Sequence, residues 1–464
     1  MASIPHRKMR FYLLSVLFMA VCTAHADYKD DIGYTKLLLE LGGSMPTGAG
    51  VNVTQIEAPV TERGSDYRPN TSDPAFTGKT FTFPNSPVGA SASSHATTVG
   101  SYFYGSGSMA PGISQVTVFD VNGWINNVIF ANPPAASTGK VQNSSWVGTT
   151  EDANTDSLIL ARYDYQIHRD GIIAVVGVNN GASSVPNLLA AGYNSIAVGL
   201  SNGASSSSTT SATLTGLYGN PRQKPDLVVP TNATSWATAV VSSSAALLVS
   251  SAGGNASAVR PEVIRAMLMA GATKSGLGGT WTHTDTAPLD STYGAGQLNI
   301  YNSYHIQQAG RFAGQITPVS LVGNTGWDLG TATSAAPEYY FFHLSTVSDF
   351  SAVLAWDITV TANFTWTSIG LSIADMDMFL YNASGFTVGS LIDQSISSDD
   401  NVELLWEEGL GPGDYALKIT TSSTQQYGLA WQTVPEPSIW GLLGFGLIFV
   451  GFMVRRRRLA ASPR

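Results

Sequence analysis

The stretch "KPDLVVPTNATSWATAVV", Lys224–Val241, decides the fold. Leu227–Val229 is a short apolar run of the kind that forms a strand buried on both faces. A loop of Thr, Asn and Ala follows, and from Trp236 to Ser251 the residues are mostly small. A strand feeding a small-residue helix lets that helix pack closely beneath a sheet. Ser235 stands at the junction. Taken alone it reads as a helix N-cap, its hydroxyl accepting a first-turn N–H. The same place suits a nucleophile, because hydroxyl and backbone N–H sit together where a helix start favours negative charge.

Working outward, Val51–Ile56, Val116–Phe119, Ile172–Val176 and Ile196–Val198 are further apolar runs that predict strands. Asp156–Asp170 and Pro261–Ala272 predict helices between and after them, with Pro261 at a helix start and Gly271 near its end. This alternation predicts an α/β domain whose mostly parallel sheet carries helices on both faces. After Phe312 the texture changes. "YYFFHLS", "FSAVLAWDITVT", "MDMFLYNASG" and "GDYALKITTS" are aromatic, β-branched and roughly alternating, which predicts an all-β sandwich.

A serine nucleophile needs a base, and "SHATTVG" supplies His95 at an apparent helix start. His168, beside Arg169 and Asp170, reads as a surface residue. An oxyanion needs donors: "GIIAVVGVNNG" ends a buried strand on Asn179 and Asn180, although Asn-Gly is also ordinary turn chemistry. Of the two, Asn179 directly follows the strand. The orienting acid should also end a strand, and "GVNVTQIEAP" puts Glu57 there, at the carboxyl edge where α/β sheets hold their ligands.

The order acid 57, base 95, donor 179, nucleophile 235 is that of subtilisin. With "HATTVG", "MAPGISQVTVFDV", "VNNG", "NSIAVG", "KPDLVVP", "ATSWATA" and "YGAGQLNIYNS" in sequence, the chain from about Ala49 to Ser303 resembles the subtilases, the subtilisin-like serine peptidases. The resemblance implies an endopeptidase working through an acyl-enzyme on Ser235, with His95 as base and Asn179 as oxyanion donor. It implies a protein or peptide substrate and no required cofactor. It also matches "NSSWVG" to the edge that pairs with substrate backbone, which points to Ser145, Trp146 and Gly148. Several positions depart from the family pattern. Glu57 replaces an aspartate, Trp236 a methionine, Ala233 a glycine, Ala239 a proline, and Ala96 and Thr98 a glycine and a second histidine. The glutamate and the indole motivate the alternative reading, a catalytically inactive binding protein of the same fold. The long prodomain common in the family has no room between Asp27 and the first strand.

Residues from about Gly323 to Thr433 resemble the pre-peptidase C-terminal β-sandwiches of secreted bacterial peptidases; Asp375 and Asp377 there are candidate ligands for a structural calcium, or simply a solvated turn. The two ends read as export signals. Arg7, Lys8 and Arg10 precede the apolar run Phe11–Cys22 and the small-x-small site Ala24-His25-Ala26. At the other end "VPEPS", the apolar run Ile439–Val454 and Arg455–Arg458 resemble the PEP-CTERM sorting signal, which implies a membrane segment and an exosortase-type processing enzyme as partner. The predicted organisation is a signal peptide over 1–26, a peptidase domain over 27–309, a β-sandwich over 310–433 and a sorting signal with a transmembrane helix over 434–464. Only 12% of residues are charged and the net charge is −9; 8 of the 23 basic residues lie in the two end segments, which leaves the body between them at about −16 and excludes nucleic acid as its partner. Cys22, the only cysteine, lies in the signal peptide, which leaves neither a disulfide framework nor a thiol nucleophile.

Overall fold

A computed structural model describes residues 27–60, 64–181, 184–209, 213–363, 365–366 and 368–435. The predicted signal peptide and the apolar C-terminal run lie outside the described residues. Among those described, no helix is long and apolar enough to cross a membrane.

The described residues open on two short helices the sequence reading did not anticipate, α1 (Tyr28–Asp31) and α2 (Tyr34–Leu41). Then comes a seven-stranded parallel sheet. In chain order its strands are β1 (Val53–Glu57), β2 (Thr80–Thr82), β3 (Gln115–Asp120), β4 (Val141–Ser144), β5 (Ile173–Gly177), β6 (Ile196–Leu200) and β7 (Leu227–Val229). Their order across the sheet is β7-β6-β5-β4-β1-β3-β2. Alternation along each strand divides the core in two. Ile173 and Val175 join one apolar cluster, while Ala174 and Val176 join the other.

On the first face lie α3 (Ser94–Phe103) and α6 (Thr234–Ser251), packed on each other. On the second lie α4 (Val121–Trp124), which continues as a π-helical turn Ile125–Ile129, and α5 (Ala153–Asp170). The small residues of α6 explain its depth. Thr238, Ser242 and Ser244 are fully buried, and each hydroxyl is satisfied by the carbonyl four residues back, at 2.7–3.0 Å. A helix so lined sits close to the strands: a Cβ on Gly177 would lie 3.0 Å from the Thr238 hydroxyl oxygen.

Helices α7 (Pro261–Ala270) and α8 (Ile300–Ala309) follow. Beyond them the described chain is antiparallel, in two four-stranded sheets and a separate two-stranded pair, 359–362 with 369–372. One is formed by β8 (Gly326–Ala332), β10 (Ser348–Ala355), β13 (Val402–Leu410) and β15 (Gln425–Pro435). The other is formed by β9 (Glu338–Leu344), β11 (Met376–Ser384), β12 (Thr387–Ser395) and β14 (Gly413–Thr421). Helix α7 packs on β15 so closely that a Cβ on Gly428 would lie 2.4 Å from the Glu262 carbonyl oxygen. Arg265 of α7, 2% exposed, donates to the carbonyls of Tyr193 at 2.7 Å, Trp356 at 2.6 Å and Asn401 at 3.3 Å, tying the parallel and antiparallel regions together. His168, read as a plain surface residue, bridges the same boundary through Asp357 at 3.1 Å. Asp377 lies within β11 beside Thr420, at 3.1 Å, rather than in a turn. Among the described residues no group of three or more His, Cys, Asp and Glu side chains is gathered as a metal would need.

Candidate active site

Three segments distant in sequence meet at the carboxyl edge of the sheet. Glu57 ends β1 with its side chain fully buried. His95 is the second residue of α3, whose start is fixed by the Ser93 hydroxyl accepting the Ala96 N–H at 3.0 Å. Ser235 is the second residue of α6. His95 Nδ1 lies 2.9 Å from Glu57 Oε2, and His95 Nε2 lies 3.0 Å from Ser235 Oγ. A carboxylate only accepts, so Nδ1 carries the proton and Nε2 is left to accept from the serine hydroxyl. Burial alone would lower the imidazole pKa; the hydrogen bond and charge of Glu57 outweigh it and hold His95 above its ordinary value.

The capping role expected of Ser235 is not the one it plays. Ala233 occupies the N-cap position and offers no side-chain bond. Ser235 lies inside the first turn, so its hydroxyl is turned to His95. The Thr234 N–H is satisfied from outside the helix, by Asn180 Oδ1 at 2.8 Å. The Ser235 N–H has no acceptor within its own helix, as its position in the first turn dictates.

Glu57 is held by a partner that the sequence reading missed. Gln55, two residues earlier and therefore on the same face of β1, donates from Nε2 to Glu57 Oε1 at 2.9 Å and lies 2.9 Å from the Ala96 carbonyl. Tyr104, fully buried just past α3, donates its hydroxyl to Gln55 Oε1. Burial and the nearby Glu57 charge push the Tyr104 phenol well above its usual range, so it stays a donor. The i, i+2 pairing of Gln55 with Glu57 was the available signal. Asp120 ends the neighbouring strand in register with Glu57, but its carboxylate caps α4 through the Gly123 N–H at 2.8 Å.

Trp236 covers the site. Its ring centroid lies 5.4 Å from that of His95 and 5.9 Å from that of Tyr102, nearly parallel to the latter at 11°. Beside Ser235 is a small cleft of about 70 Å³, walled by Ser145, Trp146 and Val147 on one side and by Val178, Asn179 and Asn180 on the other. Both asparagines thus reach the cleft, and only Asn180 has its side chain committed to α6. The Asn179 backbone is pinned by Ser206, whose hydroxyl accepts the Asn179 N–H at 2.9 Å. Ser145 Oγ lies 2.9 Å from the Ser235 carbonyl oxygen. Gly148 differs from expectation: its N–H and C=O both pair with Leu188, at 3.2 and 3.0 Å, and it does not line the cleft.

Residues 433–458 match the family model described as the PEP-CTERM protein-sorting motif. No curated protein matches the chain. Among solved structures, the chain is similar to the prenylagaramide maturation protease PagA at 17% identity, over 58% of this chain and 97% of that one, with a TM-score of 0.40. It is similar to the self-cleaved protease domain of PatA at 17% identity, over 56% and 98%, with a TM-score of 0.39. A PatG macrocyclase in complex with peptide is similar at 13% identity, over 60% and 97%, with a TM-score of 0.40. A chain with a mixed α/β region, a separate antiparallel β region and a match to that model at its end carries a PEP-CTERM sorting motif.

Proposed function

We propose that the protein is an exported serine endopeptidase of the subtilase type. The observation that carries this reading is the unbroken line from a buried carboxylate through one imidazole to a helix-start hydroxyl, with links of 2.9 and 3.0 Å. In the proposed reaction His95 Nε2 takes the Ser235 proton as Oγ attacks a peptide carbonyl, and Glu57 stabilises the imidazolium that forms. The Ser235 N–H and the Asn179 side chain hold the tetrahedral oxyanion. His95 then protonates the leaving amine, and water releases the acyl group by the same route in reverse. Ser145, Trp146 and Val147 form the wall along which the acyl side of the substrate lies. The sorting motif supports export, with 1–26 as signal peptide and 434–464 as a membrane segment handed to an exosortase-type enzyme at the cell envelope. The body then divides into a peptidase domain over 27–309 and a β-sandwich over 310–433.

The test is covalent labelling with a fluorophosphonate. We expect Ser235 to be modified, and both labelling and peptide hydrolysis to vanish in Ser235→Ala. A folded protein that takes up no label would overturn the reading.

A further inference from the structure

His95 is one member of a row of rings. Its centroid lies 5.4 Å from that of Trp236; Tyr102 follows 5.9 Å from Trp236, and Tyr28 follows 5.6 Å from Tyr102. His95 and Tyr102 come from α3, Trp236 from α6 and Tyr28 from α1. All four are half-buried rather than sealed in the core. Helix α1 has anchors of its own. The Lys29 ammonium donates to the Gly107 carbonyl at 2.5 Å, and Ile32, just past the helix, is fully buried with its carbonyl accepting the Ile300 N–H at 2.9 Å. At its far end the row borders a groove of about 340 Å³, walled by residues 27–29 and by Ala75, Ser101, Tyr102 and Gly107.

The proposed reaction says which half of a substrate meets this row. The acyl side occupies the cleft between 145–147 and 178–180. His95 Nε2 hands its proton to the leaving amine, so that nitrogen emerges within hydrogen-bond reach of the imidazole. The ring beside the imidazole is Trp236, and the chain beyond the nitrogen passes over Trp236 and Tyr102 toward the groove at Tyr28. At about 3.4 Å per extended residue, the three ring-to-ring steps leave room for about four residues. The row also selects by charge. Ring faces are electron-rich and disfavour a carboxylate. The imidazolium formed in the reaction stands next to Trp236 and disfavours a cation. A neutral aromatic side chain meets neither penalty and gains apolar cover and offset stacking.

We infer that the protein recognises the leaving segment of its substrate along this row, taking an aromatic side chain directly after the scissile bond and a second one about three residues further on, at Tyr28. The inference rests on the peptidase reading. Its test is the partition of the acyl-enzyme. The purified protein is acylated with a peptide methyl ester, and amino-acid amides compete with water for the acyl group. The amine nitrogen bonds to the acyl carbon, the ester bond to Ser235 Oγ breaks, and His95 carries the proton from nitrogen to Oγ. By microscopic reversibility the amine occupies the site of the leaving segment. At equal concentration phenylalaninamide should capture about tenfold more acyl group than glycinamide, and Trp236→Ala or Tyr102→Ala should cut that ratio to about threefold or less. Phe-Gly-Gly-Phe-amide should outcompete Phe-Gly-Gly-Gly-amide about threefold, a gain lost in Tyr28→Ala. Each ratio is read within one variant, so a change in acylation rate cancels. In a protein that takes the fluorophosphonate label, the inference is overturned by equal capture within either pair, by a preference for argininamide, or by preferences that the ring substitutions leave intact. A folded protein that takes no label fails the peptidase reading itself, and this inference with it.

Discussion

Replacing Glu57 by aspartate restores the residue the subtilase resemblance would lead one to expect, yet the geometry predicts a loss. The shorter side chain withdraws the carboxylate by about 1.5 Å, one C–C bond. With the strand held in place by register on both sides, the 2.9 Å contacts to His95 and from Gln55 both open to roughly 4.4 Å. Losing a charge-assisted bond to the imidazole costs about 1.5–3 kcal/mol where it acts in the transition state. At 1.4 kcal/mol per factor of ten, Glu57→Asp should lower kcat/KM by roughly 10- to 100-fold. The loss should appear in kcat, because Glu57 is fully buried and outside the cleft. The assay is ester or peptide hydrolysis with the rate of fluorophosphonate labelling measured in parallel, and a melting curve to confirm folding. Activity of Glu57→Asp equal to or above the parent, in a protein of unchanged stability, would refute the claim that Gln55 and Tyr104 set the site for a glutamate.

Further outcomes follow from the same geometry. His95 is held above its ordinary pKa by Glu57 and must be neutral to act, so activity should appear only as pH rises through that raised value; Glu57→Gln should move the acidic limb of the pH–rate profile downward and lower its plateau. The stability from this pair has the opposite sign: it is fully present below the unfolded-state pKa of His and fades as pH rises through the folded value, readable as a pH-dependent melting difference between parent and Glu57→Gln. Asn179→Ala should cut kcat by about 10²–10³ with little change in KM, whereas Asn180→Ala, which frees the Thr234 N–H, should mainly cost stability, about 1 kcal/mol. Equal kinetic losses in the two variants would remove the distinction drawn between them. Arg265→Ala leaves three buried carbonyls without their donor and should destabilise by about 3 kcal/mol or more in a denaturant melt, while the fluorophosphonate rate of the folded fraction stays near the parent's.

The sequence alone determined the elements and the chemical candidates. Apolar runs of strand length alternating with helical stretches specify a parallel α/β region, because each run must be buried on both faces. The aromatic alternation after Phe312 likewise specifies antiparallel sheets. Glu57, His95, Asn179 and Ser235 were legible because each closes a strand or opens a helix, and those ends lie at one edge of such a sheet. Tertiary structure alone decided how these residues are held. Gln55 and Tyr104, 49 positions apart, clamp the glutamate through contacts set by packing of the residues just past α3 against β1. Ser235 does not cap because the helix has its N-cap at Ala233, which leaves the hydroxyl inside the first turn, where His95, 140 positions away, meets it at 3.0 Å. Gly148 is withdrawn from the cleft by Leu188, and Arg265 is bound by carbonyls from three separate segments. Local pattern fixes which way a side chain points relative to its own strand or helix. Which partner it meets depends on register and the approach of distant elements, and a single chain read end to end does not contain that distance.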